Sequence, residues 1–180
     1  MSNGEIILAC DDAGIFKGEY IPKAVGHTGE GRRHLAIAVL LYNREGKVLL
    51  QKRKHKVFDD IWDVTGATHP LHRENGTDES LEEATLRCLK VEYDIDNITL
   101  KNLGAFNYFA KYDGLCENEH CYLLVGEYNG DFKLNPEVGY GYKWIDKQEF
   151  LKDIESKPEN YSPWALESVK LLRKERFFEA

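Results

Sequence analysis

His27 and His34 flank a glycine-rich segment, H-T-G-E-G-R-R-H. His69 precedes Pro70 inside the stretch from Ile61 to Ile95. Glu117 and Glu119 belong to E-N-E, two positions apart, so a strand there puts both on one face. Glu92 closes the inward stripe of a helix, where a carboxylate is costly unless paired or bound to metal. These side chains come from separate parts of the chain and can meet only by folding. Imidazoles and carboxylates together suit Mg, Mn or Zn, and the carboxylates favour the harder ions. Five protein ligands nearly fill an octahedron. A divalent-metal site is therefore expected, and with it an enzyme. His55, His72 and His120 have no such partners and are assigned to the surface or to packing.

The elements that must carry these residues follow from periodicity and turn residues. Glu5 to Ala9 and Ile15 to Ile21 read as a hairpin turning at Asp11-Asp12-Ala13-Gly14, with Pro22 as a breaker. Gly26 to Arg33 reads as a polar loop. Leu35 to Tyr42, LAIAVLLY, is almost wholly apolar and reads as a central strand buried on both faces. Asn43 to Gly46 is a turn and Lys47 to Gln51 the next strand. Lys52 to Lys56, KRKHK, is a basic run beside the Ile61–Ile95 stretch. After Thr77, residues Leu81, Ala84, Thr85, Cys88 and Leu89 fall at helical spacing. Asp78 or Thr77 is expected to cap that helix, and Glu83 to pair with Arg87. Leu100 to Tyr112 and Glu119 to Tyr128 read as strands joined at Asp113-Gly114, and Tyr142 to Ile145 as a short strand. Lys147 to Ile154 and Trp164 to Phe178 read as helices, the second starting after Ser162-Pro163.

Composition narrows the classes. With 180 residues, 42% hydrophobic and 31% charged, the chain fits one α/β domain over residues 1–180, with a mixed β-sheet and helices on its faces. A net charge of −7 argues against a broad nucleic-acid footprint. It leaves room for a small anionic ligand on local Lys and Arg. No apolar run is long enough to cross a bilayer, and the N-terminal stretch lacks the pattern of a secretory signal. The four cysteines show no C-x-x-C spacing, which fits reduced thiols and a cytoplasmic location. Oligomeric state is not legible.

Four ordered motifs resemble the Nudix superfamily and, within it, the type I isopentenyl diphosphate isomerases. The likeness runs from about Ile6 to Leu172. The family's H-T-x5-H-L-A stands as His27-Thr28 and His34-Leu35-Ala36. Its W-T-N-x-x-C-x-H-P stands as Trp62 to Pro70. E-N-E-x-C is intact at Glu117 to Cys121, and S-P-W at Ser162 to Trp164. The resemblance implies a Nudix-type α/β/α sandwich. It implies that His27, His34, His69, Glu117 and Glu119 bind a divalent metal, and that Glu119 also moves a proton. It implies that Tyr108 and Trp164 line a hydrocarbon pocket, with Tyr108 among the catalytic groups. Lys23, Arg53 and a lysine of the basic run, taken as Lys56, would hold diphosphate. Glu92 would reach a second, substrate-borne Mg ion.

Two departures bear on the reaction. The isomerases carry a cysteine two residues before the His-Pro histidine and share proton transfers between it and a glutamate; here that position is Ala67. Alanine has no acidic proton, so two-sided acid–base chemistry cannot run unchanged. The Nudix box G-x5-E-x7-R-E-U-x-E-E-x-G-U is also worn. Glu79, Arg87, Leu89, Glu92 and Ile95 fit in register, whereas Cys88, Val91 and Asp94 replace two glutamates and the glycine. Three readings follow. The leading one is a metal-dependent Nudix-type hydrolase of a small diphosphate compound, because phosphate charge is stabilised by metals and cations without a thiol. The second is an isopentenyl diphosphate isomerase with an altered acid. The third is a non-catalytic diphosphate-binding module.

Overall fold

The computed structural model describes residues 4–179. Strands β1 (Ile6–Cys10) and β2 (Phe16–Pro22) form the first hairpin, and a single helical turn α1 (Lys23–Gly26) follows. β3 (His34–Tyr42) and β4 (Lys47–Arg53) come next, then three short strands: β5 (Trp62–Asp63), β6 (Gly66–Thr68) and β7 (Leu71–His72). Helix α2 (Leu81–Tyr93) leads to the long hairpin β8 (Lys101–Tyr112) and β9 (Leu115–Glu127). Strand β10 (Gly139–Asp146) and helices α3 (Lys147–Ser156) and α4 (Pro163–Lys174) complete the order.

The sheet is mixed and centres on β3. That strand runs parallel to β9 from His34 opposite Glu119 to Tyr42 opposite Glu127. Its pairings with β1, β4 and β6 are antiparallel. Ala36 to Leu41 are all buried, as a strand covered on both faces requires. On one face Ala36, Ala38 and Leu40 pack with Tyr161, Trp164, Ala165 and Leu172 from the α4 side. On the other, Val39 and Leu41 pack with Leu89 and Tyr93 of α2. Helices thus cover both faces, the arrangement of an α/β/α sandwich. The β8–β9 turn has Asp113 at φ 45° and Gly114 at φ 77°, the two left-handed residues of a type I′ hairpin.

Several element ends differ from the sequence reading. Helix α2 is capped by Ser80, not by Asp78 or Thr77. Ser80 Oγ accepts from the Glu83 N–H at 3.1 Å, and Glu83 Oε2 accepts from the Ser80 N–H at 2.8 Å. Such a capping box stabilises a helix start by about 1 kcal/mol. Asp78 is already engaged by His72 at 2.6 Å and by Tyr20 at 3.1 Å. Arg87 does not pair with Glu83. It turns to the largely buried Glu79 at 2.8 Å, while Glu83 takes Arg73 at 2.9 Å. The last helix stops at Lys174; Arg176 then adopts φ 51° and turns Phe177 back to pack on Tyr42, ring centroids 5.4 Å apart. Strand β10 is longer than expected because its whole length pairs with β4. All four cysteines are buried and free. Among the described residues no helix is long and apolar enough to cross a membrane.

Candidate metal and substrate site

The parallel register of β3 and β9 builds the centre of the site. It sets His34 directly across from Glu119, and Glu117 shares the Glu119 face two residues earlier. His27 follows the turn α1 and is carried over by a tight loop. Gly31 in that loop has φ 63°, and a Cβ there would lie 2.6 Å from both the Gly26 carbonyl oxygen and Cys116 Sγ. Only glycine fits. His69 leaves β6, and Arg87 of α2 donates through Nη2 to its carbonyl oxygen at 2.9 Å. The Glu79–Arg87 pair therefore ties the helix to the histidine loop.

Ligating atoms of His27, His34, His69, Glu117 and Glu119 all lie within 4.8 Å of one another, and all five residues are buried. His27 Nε2 stands 3.1 Å from Glu117, His69 Nε2 2.8 Å from Glu119 Oε1, and His34 Nε2 3.5 Å from the same oxygen. Backbone carbonyls set two of the rings. His27 Nδ1 donates to Lys23 O at 2.6 Å and His34 Nδ1 to Arg32 O at 2.7 Å. A carbonyl can only accept, so in the neutral ring the Nε2 lone pair faces inward. His34 Nε2 is buried with no hydrogen-bond partner. An inward, unsatisfied acceptor beside two carboxylates fits a bound cation.

Protonation tells the same story. Burial alone would lower the His27 imidazole, but Glu117 and Glu119 outweigh it and raise it to about 10. Burial and the Glu119 charge push Glu117 up to about 7 against His27. For Glu119 burial works upward, yet contacts with His27, His34 and His69 hold it well below the usual carboxylate range. The His27 ring nitrogen thus faces Glu117 at 3.1 Å and Glu119 at 3.9 Å, and a divalent ion bound there would take the place of its proton. Tyr108 donates its hydroxyl to Glu119 Oε2.

A cavity of about 280 Å³ opens over the cluster. Lys23, Arg53 and His55 line it with Tyr108, Trp164, Ala67 and Glu92. Arg53 lies over the Trp164 ring at 4.7 Å. Lys23 is paired with Glu5 at 2.9 Å. Glu92 is half-buried, accepting from Gln51 Nε2 at 2.8 Å; burial raises its carboxyl to about 7. Gly66 lets β6 approach it: a Cβ there would lie 3.3 Å from Glu92 Oε2.

Lys56 is exposed and is not among the residues that line the cavity. His55, assigned from the sequence to the surface or to packing, is exposed and also lines the cavity. Lys54 donates to Pro136 O at 2.8 Å. The sequence reading also missed Asp63, Gln51 and Cys121. Cys121 closed the E-N-E-x-C motif but had no role; it lines the cavity, two residues beyond Glu119 on the same strand face.

The NUDIX domain family model matches residues 32–165. An isopentenyl-diphosphate Delta-isomerase of Paenarthrobacter aurescens (strain TC1) is 33% identical over 168 residues, covering 91% of this chain and 88% of that protein. One from Enterobacter sp. (strain 638) is 26% identical over the same shares. Among solved structures, DR0079 from Deinococcus radiodurans superposes with a TM-score of 0.63 at 17% identity, covering 85% of this chain and 90% of that one. A C. elegans Ap4A hydrolase superposes at 0.54 with 19% identity, covering 79% and 95%. At these identities the two structures speak for the fold.

Proposed function

The chain belongs to the Nudix family and is an enzyme acting on diphosphates, and from that premise we propose that it is a divalent-metal-dependent hydrolase of a small diphosphate compound. One observation carries the choice of hydrolysis: Ala67. It lines the cavity beside Tyr108 and Glu119, at the place where the isomerase pattern has its cysteine. A double-bond shift needs an acid and a base on the carbon skeleton; here one of the two is missing.

His27, His34, His69, Glu117 and Glu119 would hold the ion, which when bound lowers the barrier by screening phosphate charge. Glu92, in the same cavity, is the candidate contact for a second, substrate-borne Mg. Lys23 and Arg53 bind the anionic end of the substrate. Tyr108 and Trp164 give the wall for its organic part. Water adds to phosphorus, the bridging P–O bond breaks, and the water proton passes to the Glu119 carboxylate. Tyr108, bonded to Oε2, keeps that carboxylate oriented.

The second reading is isomerisation of isopentenyl diphosphate with an altered acid. The 33% identity to an isomerase over most of both chains favours it. A panel of diphosphates with Mg or Mn separates the two, scored for phosphate release and, by NMR, for the allylic isomer. Phosphate release without isomer supports hydrolysis. Isomer without phosphate overturns it, and tight binding with neither product makes the protein a binding module.

A further inference from the structure

Asp63 stands where the isomerase pattern has threonine, and none of its side chain is exposed. Each of its oxygens is used. Oδ1 accepts from Ser162 Oγ at 2.7 Å and from the Val64 N–H at 2.8 Å. Oδ2 accepts from Arg53 Nη1 at 2.9 Å. Burial pushes the Asp63 carboxyl up, and Arg53 and Ser162 act against that. A buried carboxylate with three donors is satisfied.

Through these two partners Asp63 is tied to two residues that line the cavity, Arg53 and Trp164. Arg53 also donates to the carbonyls of Phe58 and Val57, each at 3.3 Å, and its plane rests on Trp164. Of five guanidinium N–H groups, these contacts commit three, leaving two for a ligand. Ser162 caps α4, accepting from the Ala165 N–H at 3.2 Å. The next turn carries Trp164, 3% exposed. One buried carboxylate therefore fixes both the cation and the helix start that presents the aromatic wall.

We propose that Asp63 is the positioning residue of this site, orienting Arg53 toward a substrate diphosphate while Ser162 keeps Trp164 in register with it. The proposal rests on the diphosphate reading above. Its role is indirect: Asp63 acts through Arg53 and Ser162.

The test is the affinity for methylenediphosphonate with Mg²⁺, by calorimetry, for wild type, Asp63→Asn, Arg53→Gln and the double variant. This probe has a bridge that water cannot cleave, so the readout does not depend on turnover. Asp63→Asn keeps the shape but turns a donor toward Arg53, and binding should weaken by about tenfold or more, the scale of a charged hydrogen bond. The double variant should bind no more weakly than Arg53→Gln alone, because this probe has no organic part for Trp164 to contact and the aspartate reaches its phosphonates through the arginine. A purely structural role predicts a lower melting temperature with unchanged affinity. Wild-type affinity in Asp63→Asn, or losses that add in full, overturns the proposal alone. A wild-type protein that does not bind the probe overturns the diphosphate reading and the proposal with it. Should Asp63→Asn not fold, Ser162→Ala serves: it removes one contact and leaves the charge pair. A smaller loss of affinity supports the proposal, and wild-type affinity overturns it.

Discussion

Glu119 stands 2.8 Å from His69 Nε2 through one oxygen and accepts the hydroxyl of Tyr108 through the other. One carboxylate thus faces the candidate ligand cluster and the cavity wall at once. Glutamine in its place keeps the shape and one carbonyl oxygen but cannot take a proton as a carboxylate does. Glu119→Gln should fold, bind Mn more weakly and lose turnover by roughly 10²- to 10⁴-fold, the range of a general acid–base group. Full turnover in a metal-loaded variant would return Glu119 to a structural role.

Metal should stabilise the fold. The five candidate ligands lie just after α1, on β3, on the β6–β7 connection and on β9, so an ion that binds only the folded state ties these segments together. Mn at a hundred times its dissociation constant should add about 2.7 kcal/mol, or roughly 5–10 °C in melting temperature for a chain of this size. EDTA should reverse the shift, and His34→Ala should abolish it. A melting curve indifferent to Mn would count against the cluster as a cation site.

Much of this was legible because it is local. LAIAVLLY has the apolar density of a two-sided strand, and E-N-E needs only a strand to put two carboxylates on one face. The convergence itself is non-local: it depends on the register of β3 against β9, and from residues alone it could only be posited. Ser80 was passed over as the cap although Glu83 stands three residues later, because the competing engagements of Asp78 with His72 and Tyr20 are tertiary. Arg87 chose a buried partner over a helical neighbour for the same reason. Asp63 carries no local signal of its role, which depends on Ser162, ninety-nine positions away.

The basic run gives a sharper contrast. His55 Nδ1 accepts from the Val57 N–H at 3.3 Å, leaving Nε2 as the N–H donor of the neutral ring. The ring is exposed on one side, yet loss of water on its cavity side, with Arg53 and Lys23 nearby, pushes this imidazole down to about 4, so it is neutral near pH 7. Because that value lies below the unfolded one, the neutral ring's contribution to stability is present above about pH 6.5 and lost as pH falls toward 4. His55→Ala should raise KM by about two- to tenfold, the worth of a neutral hydrogen bond. Lys56→Ala should leave KM unchanged. The reverse pattern in steady-state kinetics would restore Lys56 to the substrate.

Ala67 decides between reactions. It pairs with Ala38 across β6 and β3 and lines the cavity with Glu119, half-buried, so one added sulfur can be accommodated there. Isomerisation of isopentenyl diphosphate adds a proton at the terminal alkene carbon and removes one from the carbon next but one. Glu119 can serve one of these transfers; for the other, Thr68 offers a hydroxyl, a far weaker acid than an ordinary thiol, and the Cys121 thiol in the same lining is pushed well up by burial. The natural protein should therefore form little or no dimethylallyl diphosphate. Ala67→Cys should raise isomer formation by at least about 10²-fold, the contribution of a placed acid–base group, while phosphate release changes little. NMR of the prenyl chain in D₂O reads both the isomer and the deuterium taken up at each carbon. Brisk isomerisation by the natural protein, unchanged in Ala67→Cys, would show that another group already supplies the second proton transfer and would move the hydrolase reading behind the isomerase one.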